Sequence, residues 1–404
     1  MNVLDRAKMF VKPLYLPLVL SSMALAATEL STQTRRQTVR TSRTLAANLM
    51  SYYQPSLNGL LPQPYWPWEA AGLWSTMIHY QRYTGDAKYT NLVRAGILAQ
   101  AGYSNDFMGP QTPGNDDQLW WGLAAMNAAE VNFPGANWLA LAGTVFSEVV
   151  ARWDNSTCSG GLHWQISESS NGYTYKNSIT NGLAFQLAGR LVRHHSHSNT
   201  SEHYIRWAEK LFTWTLQVGY IDNTTYSVYD GAHTDKACTD IDHGKWSYNV
   251  GVFLSGSSLM FQHTKAPKWA EHVDGFVSAL QSDFPTSDGV LQEKCEATQN
   301  CNADQKSFKA YVVRWLAEAK GLVSESARGK IEGVLRASVK GALGSCNGSP
   351  GRESCGVKWT EGGFDGDVGV GQQMGALEAV VGRLIGRNSE NGVKGKKGPK
   401  SAVS

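Results

Sequence analysis

The sequence predicts an all-α protein whose helices form six hairpins closed into a ring, an (α/α)6 toroid with long, disulfide-braced loops on one face. Three observations predict this fold. Helical periodicity recurs along nearly the whole chain, the linkers alternate between short and long, and the first and last helical segments lack a hairpin partner. Within the segments, apolar residues recur at helical spacing, as in Leu183, Leu187 and Leu191. Strand-like alternation is limited to short pieces at 173–175 and 226–229.

The periodicity predicts twelve helices, at 36–54, 68–83, 86–101, 117–132, 136–152, 178–195, 201–217, 246–263, 266–283, 304–321, 325–343 and 370–386. Short turns such as 84–86 join the two helices of a hairpin. Longer loops separate successive hairpins, at 102–116, 153–177, 218–245, 284–303 and 344–369. The unpaired first and last helices can pack together and close the ring, whereas an open helical solenoid is the alternative.

The chain is predicted to contain one folded domain, residues 33–387, between two segments of different character. Basic residues precede an apolar stretch at 14–27, and Ala24-Leu25-Ala26 resembles a cleavage site, which together predict a signal peptide at 1–26 and secretion. The stretch is shorter than the roughly 20 apolar residues of a membrane span. Residues 388–404 are Gly-rich and basic and are expected to be a disordered tail without the hydrophobic run of a GPI-anchor signal.

Composition excludes two classes of protein. Hydrophobic residues make up 42% of the 404 residues and charged residues 18%, which excludes a disordered chain. The net charge of +3 is too small to indicate a nucleic-acid partner. The 14 Trp, 16 Tyr and 12 Phe exceed the needs of a core, so some rings are expected to line a groove. A monomer is expected.

Sequons and cysteines support secretion. The four sequons begin at Asn155, Asn199, Asn223 and Asn347. Four of the six cysteines lie in local pairs, Cys295 with Cys301 and Cys346 with Cys355, and the remaining two are Cys158 and Cys238. Sequence alone allows 15 pairings. The sequence contains no C-x-x-C spacing of the kind that indicates a zinc site. The acidic run at 235–243 lacks the Gly of a calcium loop. No cofactor or metal is therefore predicted.

A pair of adjacent acids, Asp116 and Asp117, opens the helix predicted at 117–132. Such a pair can serve only as a helix cap and a complement to the helix dipole. Glycosidic hydrolysis, however, needs one ionised and one protonated carboxyl group. A helix start can divide a pair in this way, because the carboxyl nearer the free amides stays ionised and its charge keeps the neighbour protonated. These two residues are therefore the candidate catalytic groups.

The segment Asn115-Asp116-Asp117-Gln118, followed by Trp-Gly at 121–122, resembles the signature of glycoside hydrolase family 76, which comprises endo-α-1,6-mannanases and related fungal cell-wall proteins. The resemblance runs in order through roughly residues 36–386. Further matching segments are Tyr-Thr-Gly-Asp at 83–86, Gly-Gly-Leu-His-Trp-Gln at 160–165, Tyr-Asp-Gly at 229–231, Trp-Ser-Tyr-Asn at 246–249, Phe-Lys-Ala at 308–310 and Gly-Val-Gly-Gln-Gln at 369–373. One departure is Pro67, which occupies one place of a Trp pair.

The resemblance implies an (α/α)6 barrel and a retaining mechanism in which Asp116 is the nucleophile and Asp117 the acid/base. Residues around the predicted inner-helix starts, in the long loops and in the matching segments are candidate substrate-binding groups. Their amides, ammonium groups and carboxylates suit sugar hydroxyls, their rings suit pyranose faces, and helix capping or core packing is the alternative for several. They are Trp68, Asn115, Trp164, Lys176, Asn177, Asn181, Tyr229, Asp230, Asp304, Phe308, Lys309 and Gln372.

Three functions are compatible with these features. The first is a secreted, extracellular mannan endo-1,6-α-mannosidase that acts on α-1,6-mannan or another mannose-containing cell-wall glycan. The second is a cell-wall transglycosylase that uses the same intermediate to link the mannose core of GPI glycans to wall glucan. The third is a glycan-binding protein without catalysis, against which the intact Asp116–Asp117 pair argues.

Overall fold

The computed structural model describes residues 34–109, 112–195, 199–284, 288–347 and 353–386. The predicted signal peptide at 1–26 and the basic tail at 388–404 lie outside these ranges. Thirteen α-helices lie in the described residues: α1 Arg35–Met50, α2 Pro67–Thr84, α3 Thr90–Leu98, α4 Asn115–Glu130, α5 Trp138–Ala151, α6 Ser178–His194, α7 Asn199–Gln217, α8 Ser247–Thr264, α9 Pro267–Asp283, α10 Lys294–Thr298, α11 Ala303–Ala319, α12 Glu325–Gly344 and α13 Val370–Gly382. The twelve predicted helices are confirmed, and the short α10 is an addition to them.

Six helices form a closed inner ring. In order around the ring they are α2, α4, α6, α8, α11 and α13, and each packs against the next, with α13 packing against α2. Helices α3, α5, α7, α9 and α12 pack outside their inner partners. The first helix, α1, packs against the last, α13, so the pairing of the two unpartnered ends is confirmed.

The two layers differ in how much of each helix is buried. Outer helix α7 buries one stripe that includes Tyr204, Ala208 and Leu211, as expected for a helix with one face towards solvent. Inner helix α6 buries every residue from Ser178 to Val192. Its small residues permit close packing on both sides, and a side chain at Gly182 would collide with Val252 of α8.

The turns set the ends of the hairpins. Gly85 ends α2 in the left-handed conformation, with its N–H bonded to the carbonyl of Gln81. Helix α3 starts at Thr90 rather than at the predicted residue 86, because Asp86 forms a turn. Its carboxylate accepts the backbone N–H of Lys88 at 3.0 Å. Because inner and outer helices alternate along the chain, the short turns lie on one face of the ring and the long loops on the other.

The long loops are tied together by a small sheet and three disulfides. Antiparallel strands β1 (Tyr175–Asn177), β2 (Gly231–His233) and β3 (Ile241–Asp242) join loop 153–177 to loop 218–245. The Cys158–Cys238 disulfide links the same two loops, and Cys295–Cys301 and Cys346–Cys355 close the local pairs. The predicted strand pieces are thus confirmed in part, since β1 contains Tyr175 whereas 226–229 contributes only one isolated bridge.

A buried network of charges crosses the inner ring away from the long loops. Its six members are His79, Glu130, Arg190, Arg314, Glu318 and Glu378. They come from α2, α4, α6, α11 and α13, so the network joins five of the six inner helices. Three bases face three acids there, which keeps the buried charge balanced when His79 is protonated.

Two surface features complete the description. The asparagines of the four sequons are all exposed, although the last two residues of the sequon at Asn347 lie outside the described ranges. Among the described residues, no helix has the length and apolar character needed to cross a membrane.

Candidate active site

A pocket of about 620 Å³ opens on the long-loop face, where the N-termini of the inner helices converge. Free backbone amides and the positive ends of helix dipoles therefore face this space. The lining residues are Trp66, Pro67, Trp68, Pro113, Asp116, Asp117, Trp120, Trp164, Gln165, Ser170, Asn171, Tyr175, Asn177, Ile179, Asp230, Tyr248, Asp304 and Phe308.

The two candidate catalytic acids lie together at the start of α4. Asp117 Oδ2 accepts the backbone N–H of Gly114 at 2.9 Å, and Asp116 Oδ1 accepts the N–H of Asp117 at 3.0 Å. An oxygen of each carboxyl lies within 2.7 Å of the position that a Cβ on residue 114 would occupy. The two oxygens are therefore no more than twice that distance apart, and both side chains turn to the same pocket.

Burial dominates the electrostatics of the pair. Burial, followed by the charge of Asp117, raises the pKa of Asp116 well above its ordinary value, against hydrogen bonds from two backbone N–H groups and from the Trp164 side chain. Burial also raises the pKa of Asp117 to about 7, against one hydrogen bond from Gly114 and assisted by the charge of Asp304. The pair therefore retains one proton near neutral pH, whereas two exposed aspartates would be ionised.

Aromatic rings form the walls of the pocket. Tyr248 and Phe308 stack with their centroids 3.8 Å apart, and Trp68 lies 5.2 Å from Trp120. At the rim, Trp66 is 56% exposed and Trp164 is 36% exposed. Exposed indoles beside a polar pocket are well suited to stacking on sugar rings.

Six predicted substrate-binding residues line the pocket: Trp68, Trp164, Asn177, Asp230, Asp304 and Phe308. Asn177 also caps α6, because its Oδ1 accepts the N–H of Thr180 at 3.1 Å. Asp230 accepts the hydroxyl of Tyr175 at 2.7 Å, and burial raises the pKa of its carboxyl. The Asn177 side chain therefore both caps α6 and lines the pocket.

Two predicted lysines lie outside the pocket, buried in contacts within the protein. Lys176 Nζ lies 2.9 Å from the carboxylate of Asp154 and donates to the carbonyl oxygens of Gly160 and Thr157. Lys309 Nζ lies 2.8 Å from Glu296 and 4.1 Å from the ring centroid of Trp359. Both ammonium groups brace loops and have no donor left to direct at a sugar.

The other four predicted residues are also outside the pocket lining. Asn115 donates to the carbonyl of His163 and accepts from Arg152, and both groups of the Asn181 amide bond within the protein, chiefly to Leu162. The buried Gln372 donates to Asp367 at 2.9 Å. The Tyr229 ring packs against His243, with centroids 4.4 Å apart.

Several lining residues were missing from the sequence-based prediction, chiefly Trp66, Trp120, Gln165, Tyr175 and Tyr248. Gln165 and Tyr175 stand directly beside a predicted residue, and Tyr248 lies within a matching segment. Trp66 lies two positions before Trp68, and Trp120 follows the acid pair by three positions. Proximity in sequence was therefore the available signal. Which member of each segment faces the pocket depends on the loop backbone, which sequence does not reveal.

A closed ring of helical hairpins with two adjacent carboxyl groups in an aromatic pocket defines a helical-barrel glycosidase. Among the described residues, no group of three His, Cys, Asp or Glu side chains could hold a metal ion. The profile of Glycosyl hydrolase family 76 matches residues 37–394. The chain belongs to this family of glycoside hydrolases.

The relatives include named fungal enzymes. The chain is 40% identical over 351 residues to mannan endo-1,6-alpha-mannosidase DCW1 of Saccharomyces cerevisiae, covering 83% of this chain and 77% of the yeast protein. It is 34% identical over 379 residues to mannan endo-1,6-alpha-mannosidase DFG5 of the same yeast, covering 90% and 81%.

Solved structures share the fold. Dfg5 from Chaetomium thermophilum, in complex with glucosamine, superimposes with a TM-score of 0.82 at 38% identity, covering 87% of this chain and 91% of that one. An inactive variant of the α-1,6-mannanase GH76A of Salegentibacter sp. HEL1_6, in complex with α-1,6-mannotriose, gives a TM-score of 0.73 at 18% identity, covering 86% and 99%.

Proposed function

We propose that this protein is a secreted, retaining endo-α-1,6-mannosidase that cleaves the backbone of a mannan. One observation carries the proposal: the carboxyl groups of Asp116 and Asp117 converge on one pocket with aromatic walls. The names of the fungal relatives support mannan as the substrate. Exposed Trp66 and Trp164 at the rim suit an extended chain that continues beyond the pocket.

The hydrogen bonds support a division of roles between the acids. Asp116 accepts three hydrogen bonds, which favour its ionised form, whereas Asp117 accepts one and lies near the negative charge of Asp304. Burial and the charge of Asp117 raise the pKa of Asp116 as well, so the assignment of the proton to Asp117 rests on these hydrogen bonds and on the charge of Asp304. Asp116 attacks the anomeric carbon while Asp117 protonates the leaving oxygen, which yields a glycosyl-enzyme and a shortened glycan. Asp117 then accepts a proton from water, which attacks the same carbon and releases the product.

The close approach of the two carboxyls supports retention of configuration. One oxygen of each carboxyl lies within 2.7 Å of a single point, the Cβ position of residue 114, so these two oxygens are at most twice that distance apart. Retaining glycosidases separate these groups by about 5–5.5 Å, whereas inverting enzymes need roughly 6.5–9.5 Å to admit a water.

Replacement of each acid by its amide tests this function. Asp116→Asn and Asp117→Asn should each lower kcat on linear α-1,6-mannan at least about 1000-fold, a loss of roughly 4 kcal/mol of transition-state stabilisation. Circular dichroism should remain helical. The exposed Asp235→Asn in loop 218–245 is the matched control and should retain full activity. NMR of the first product should detect the α-anomer, and a β-anomer or near-normal activity of either catalytic variant would contradict the proposal.

A second candidate is transglycosylation at the same site. Beside the main pocket lies a smaller one that shares Trp164, Tyr175 and Asp230 with it and adds Asp240 and Asp242. Three carboxylates there complement an amino sugar, and the Chaetomium relative is in complex with glucosamine. An acceptor hydroxyl in place of water would complete a transfer to glucan.

Product analysis separates the two candidates. The purified protein is incubated with linear α-1,6-mannan and, separately, with a GPI-glycan donor and a glucan oligosaccharide acceptor. Hydrolysis yields shortened mannan in the first reaction, whereas transfer yields a donor–acceptor conjugate in the second. Asp240→Asn should weaken use of the amino-sugar donor without affecting mannan cleavage if the smaller pocket serves the donor.

The extracellular location is part of the same proposal. Three disulfides are stable in an oxidising compartment, and the exposed sequon asparagines suit glycosylation there. Mass spectrometry of the protein from the culture medium tests removal of residues 1–26 and occupancy of the sequons. A product retained inside the cell with its N-terminus intact would contradict secretion.

A further inference from the structure

A second carboxyl pair lies behind the catalytic acids. Glu69 stands in the first turn of α2 and is completely buried, and Asp304 stands in the first turn of α11 and lines the pocket. The two side chains come from different inner helices, and their carboxyl groups are in hydrogen-bond contact.

The donors around this pair leave one oxygen of each carboxyl unsatisfied. Glu69 Oε2 accepts the backbone N–H of Trp66 at 2.8 Å. Its Oε1 and the Oδ1 of Asp304 are buried without a donor from any other group. Two buried carboxylates in contact repel each other, and unpaired buried acceptors cost free energy. A single proton between the two groups removes both penalties, because one carboxyl then donates to the other.

We propose that Glu69 and Asp304 share one proton as a carboxylic acid–carboxylate pair, in which Asp304 carries the negative charge and helps Asp117 to keep its proton. Both are positioning residues, since they act on the reaction through Asp117 and Trp68. The inference rests on the proposed function insofar as Asp117 is the acid/base.

The consequence for catalysis follows from the position of Asp304. Its charge is one of the causes that raise the pKa of Asp117, so it helps Asp117 to retain the proton needed by the leaving oxygen. The Trp68 side chain also donates to Asp304, which orients an indole of the pocket wall. Without the charge of Asp304, burial alone would hold up the pKa of Asp117, and Asp117 would lose its proton at a lower pH.

Electrostatic asymmetry supports placing the proton on Glu69. Burial raises the pKa of Glu69 to about 8, assisted by the charge of Asp304. Burial raises the pKa of Asp304 as well, but hydrogen bonds from Glu69 and Trp68 oppose this effect. Asp304 is therefore the member that ionises first.

The other ionisable groups near the pair do not supply a competing charge. Burial raises the pKa of each surrounding tyrosine, so these residues stay neutral. They are Tyr65, Tyr248 and Tyr311. The cations of α11 are bound to other acids, in the pairs Lys306–Asp367, Lys309–Glu296 and Arg314–Glu378. Asp116 and Asp117 on α4 are the remaining neighbours, and they form the catalytic pair.

The pH profile of kcat/KM separates this role from a merely structural one. Glu69→Gln supplies an amide donor of the same shape, so Asp304 keeps its charge and the alkaline limb should stay within about 0.3 pH units of wild type. Glu69→Gln with Asp304→Asn removes the charge, and the alkaline limb should move down by about one pH unit. If the alkaline limb of the kcat/KM profile falls at the same pH in both variants, the electrostatic role is overturned, whatever the effect of the substitutions on kcat.

A readout without catalysis tests the shared proton itself. In the inactive Asp116→Asn/Asp117→Asn protein, infrared spectroscopy at pH 7 should detect the C=O stretch of a protonated carboxyl that disappears on adding Glu69→Gln. The stretch assigned by this difference should titrate near pH 8. A difference spectrum without that band would overturn the proposal even if the mannosidase activity is real, and presence of the band would support the pair even if the substrate differs.

The two measurements also cover a variant that folds poorly. Thermal unfolding of each protein is recorded first, and a destabilised double variant is assayed well below its Tm. The infrared band is assigned to the pair by the difference from the Glu69→Gln protein, because other buried carboxyls such as Glu293, whose pKa burial raises to about 7, are also protonated near neutral pH.

Discussion

At the scale of single residues, Gly114 explains how two neighbouring aspartates reach one pocket. Adjacent residues in a regular helix point about 100° apart. Gly114 is the N-cap of α4, and its missing side chain leaves the space into which both carboxyls turn. Its φ of −109° suits any residue, so a glycine is needed here for room and not for backbone conformation.

Gly114→Ala should therefore impair catalysis while sparing the fold. The new methyl group collides with an oxygen of each carboxyl, and displacement of catalytic groups by about 1 Å can cost roughly 100-fold in rate. We expect kcat on mannan to fall about 100-fold with little change in Tm. Gly109→Ala, in the same loop with open space around its Cβ, is the matched control. Full activity of the Gly114 variant would contradict this account of the pair.

At the scale of elements, the site depends on long loops that have little regular structure of their own. Loop 153–177 is held by the short β1, by the Cys158–Cys238 disulfide and by Lys176. Burial lowers the pKa of Lys176, although its ion pair with Asp154 opposes the shift. Asp154 also bonds to His163, so one carboxylate organises both ends of the loop.

Lys176→Met tests whether this lysine braces the loop or binds substrate. Loss of the ammonium leaves the carbonyls of Gly160 and Thr157 and the Asp154 carboxylate without their donor, which should lower the free energy of unfolding by about 2–4 kcal/mol. The measurement is chemical denaturation, with the exposed Lys236→Met as control. An unchanged stability together with a raised KM would instead assign Lys176 to the substrate.

At the scale of the whole molecule, the ring is closed at one end by the buried charge network and open at the other at the pocket. Burial alone would lower the pKa of His79, but Glu318 and Glu378 outweigh it and the pKa is raised. Burial would raise the pKa of Glu318, yet His79 and Arg190 lower it to about 2. The network therefore links stability to pH on both sides of neutrality.

The contribution of protonated His79 has a defined pH dependence. It is fully present below the unfolded-state pKa of about 6.5 and is lost as the pH rises through the higher pKa of the folded state. His79→Gln should cost about 2–4 kcal/mol at pH 6, and the gap to wild type should narrow at pH 9. Chemical denaturation at both pH values measures it, with the exposed His203→Gln on α7 as control. A gap that is constant with pH would show that His79 is neutral in the folded protein.

Much of the fold could be predicted because the relevant signals are local. The 3.6-residue periodicity of α6 and its neighbours depends only on which residues lie next to each other in sequence, and it gave the twelve helices. The unpartnered ends α1 and α13 indicated ring closure, since each has an apolar face that must be covered. The acid pair and the cysteine pairs were likewise visible as short segments.

The choice of residues that face the pocket was decided by the tertiary structure alone. Lys176 and Asn177 are neighbours in sequence, yet one ammonium is buried among loop carbonyls and the other side chain lines the pocket. Glu69 and Asp304 are far apart in the chain, and only closure of the ring brings their carboxyls into contact. Periodicity specifies which side of a helix is buried. The partner of a buried polar group depends on which helices become neighbours, and that is a property of the assembled ring.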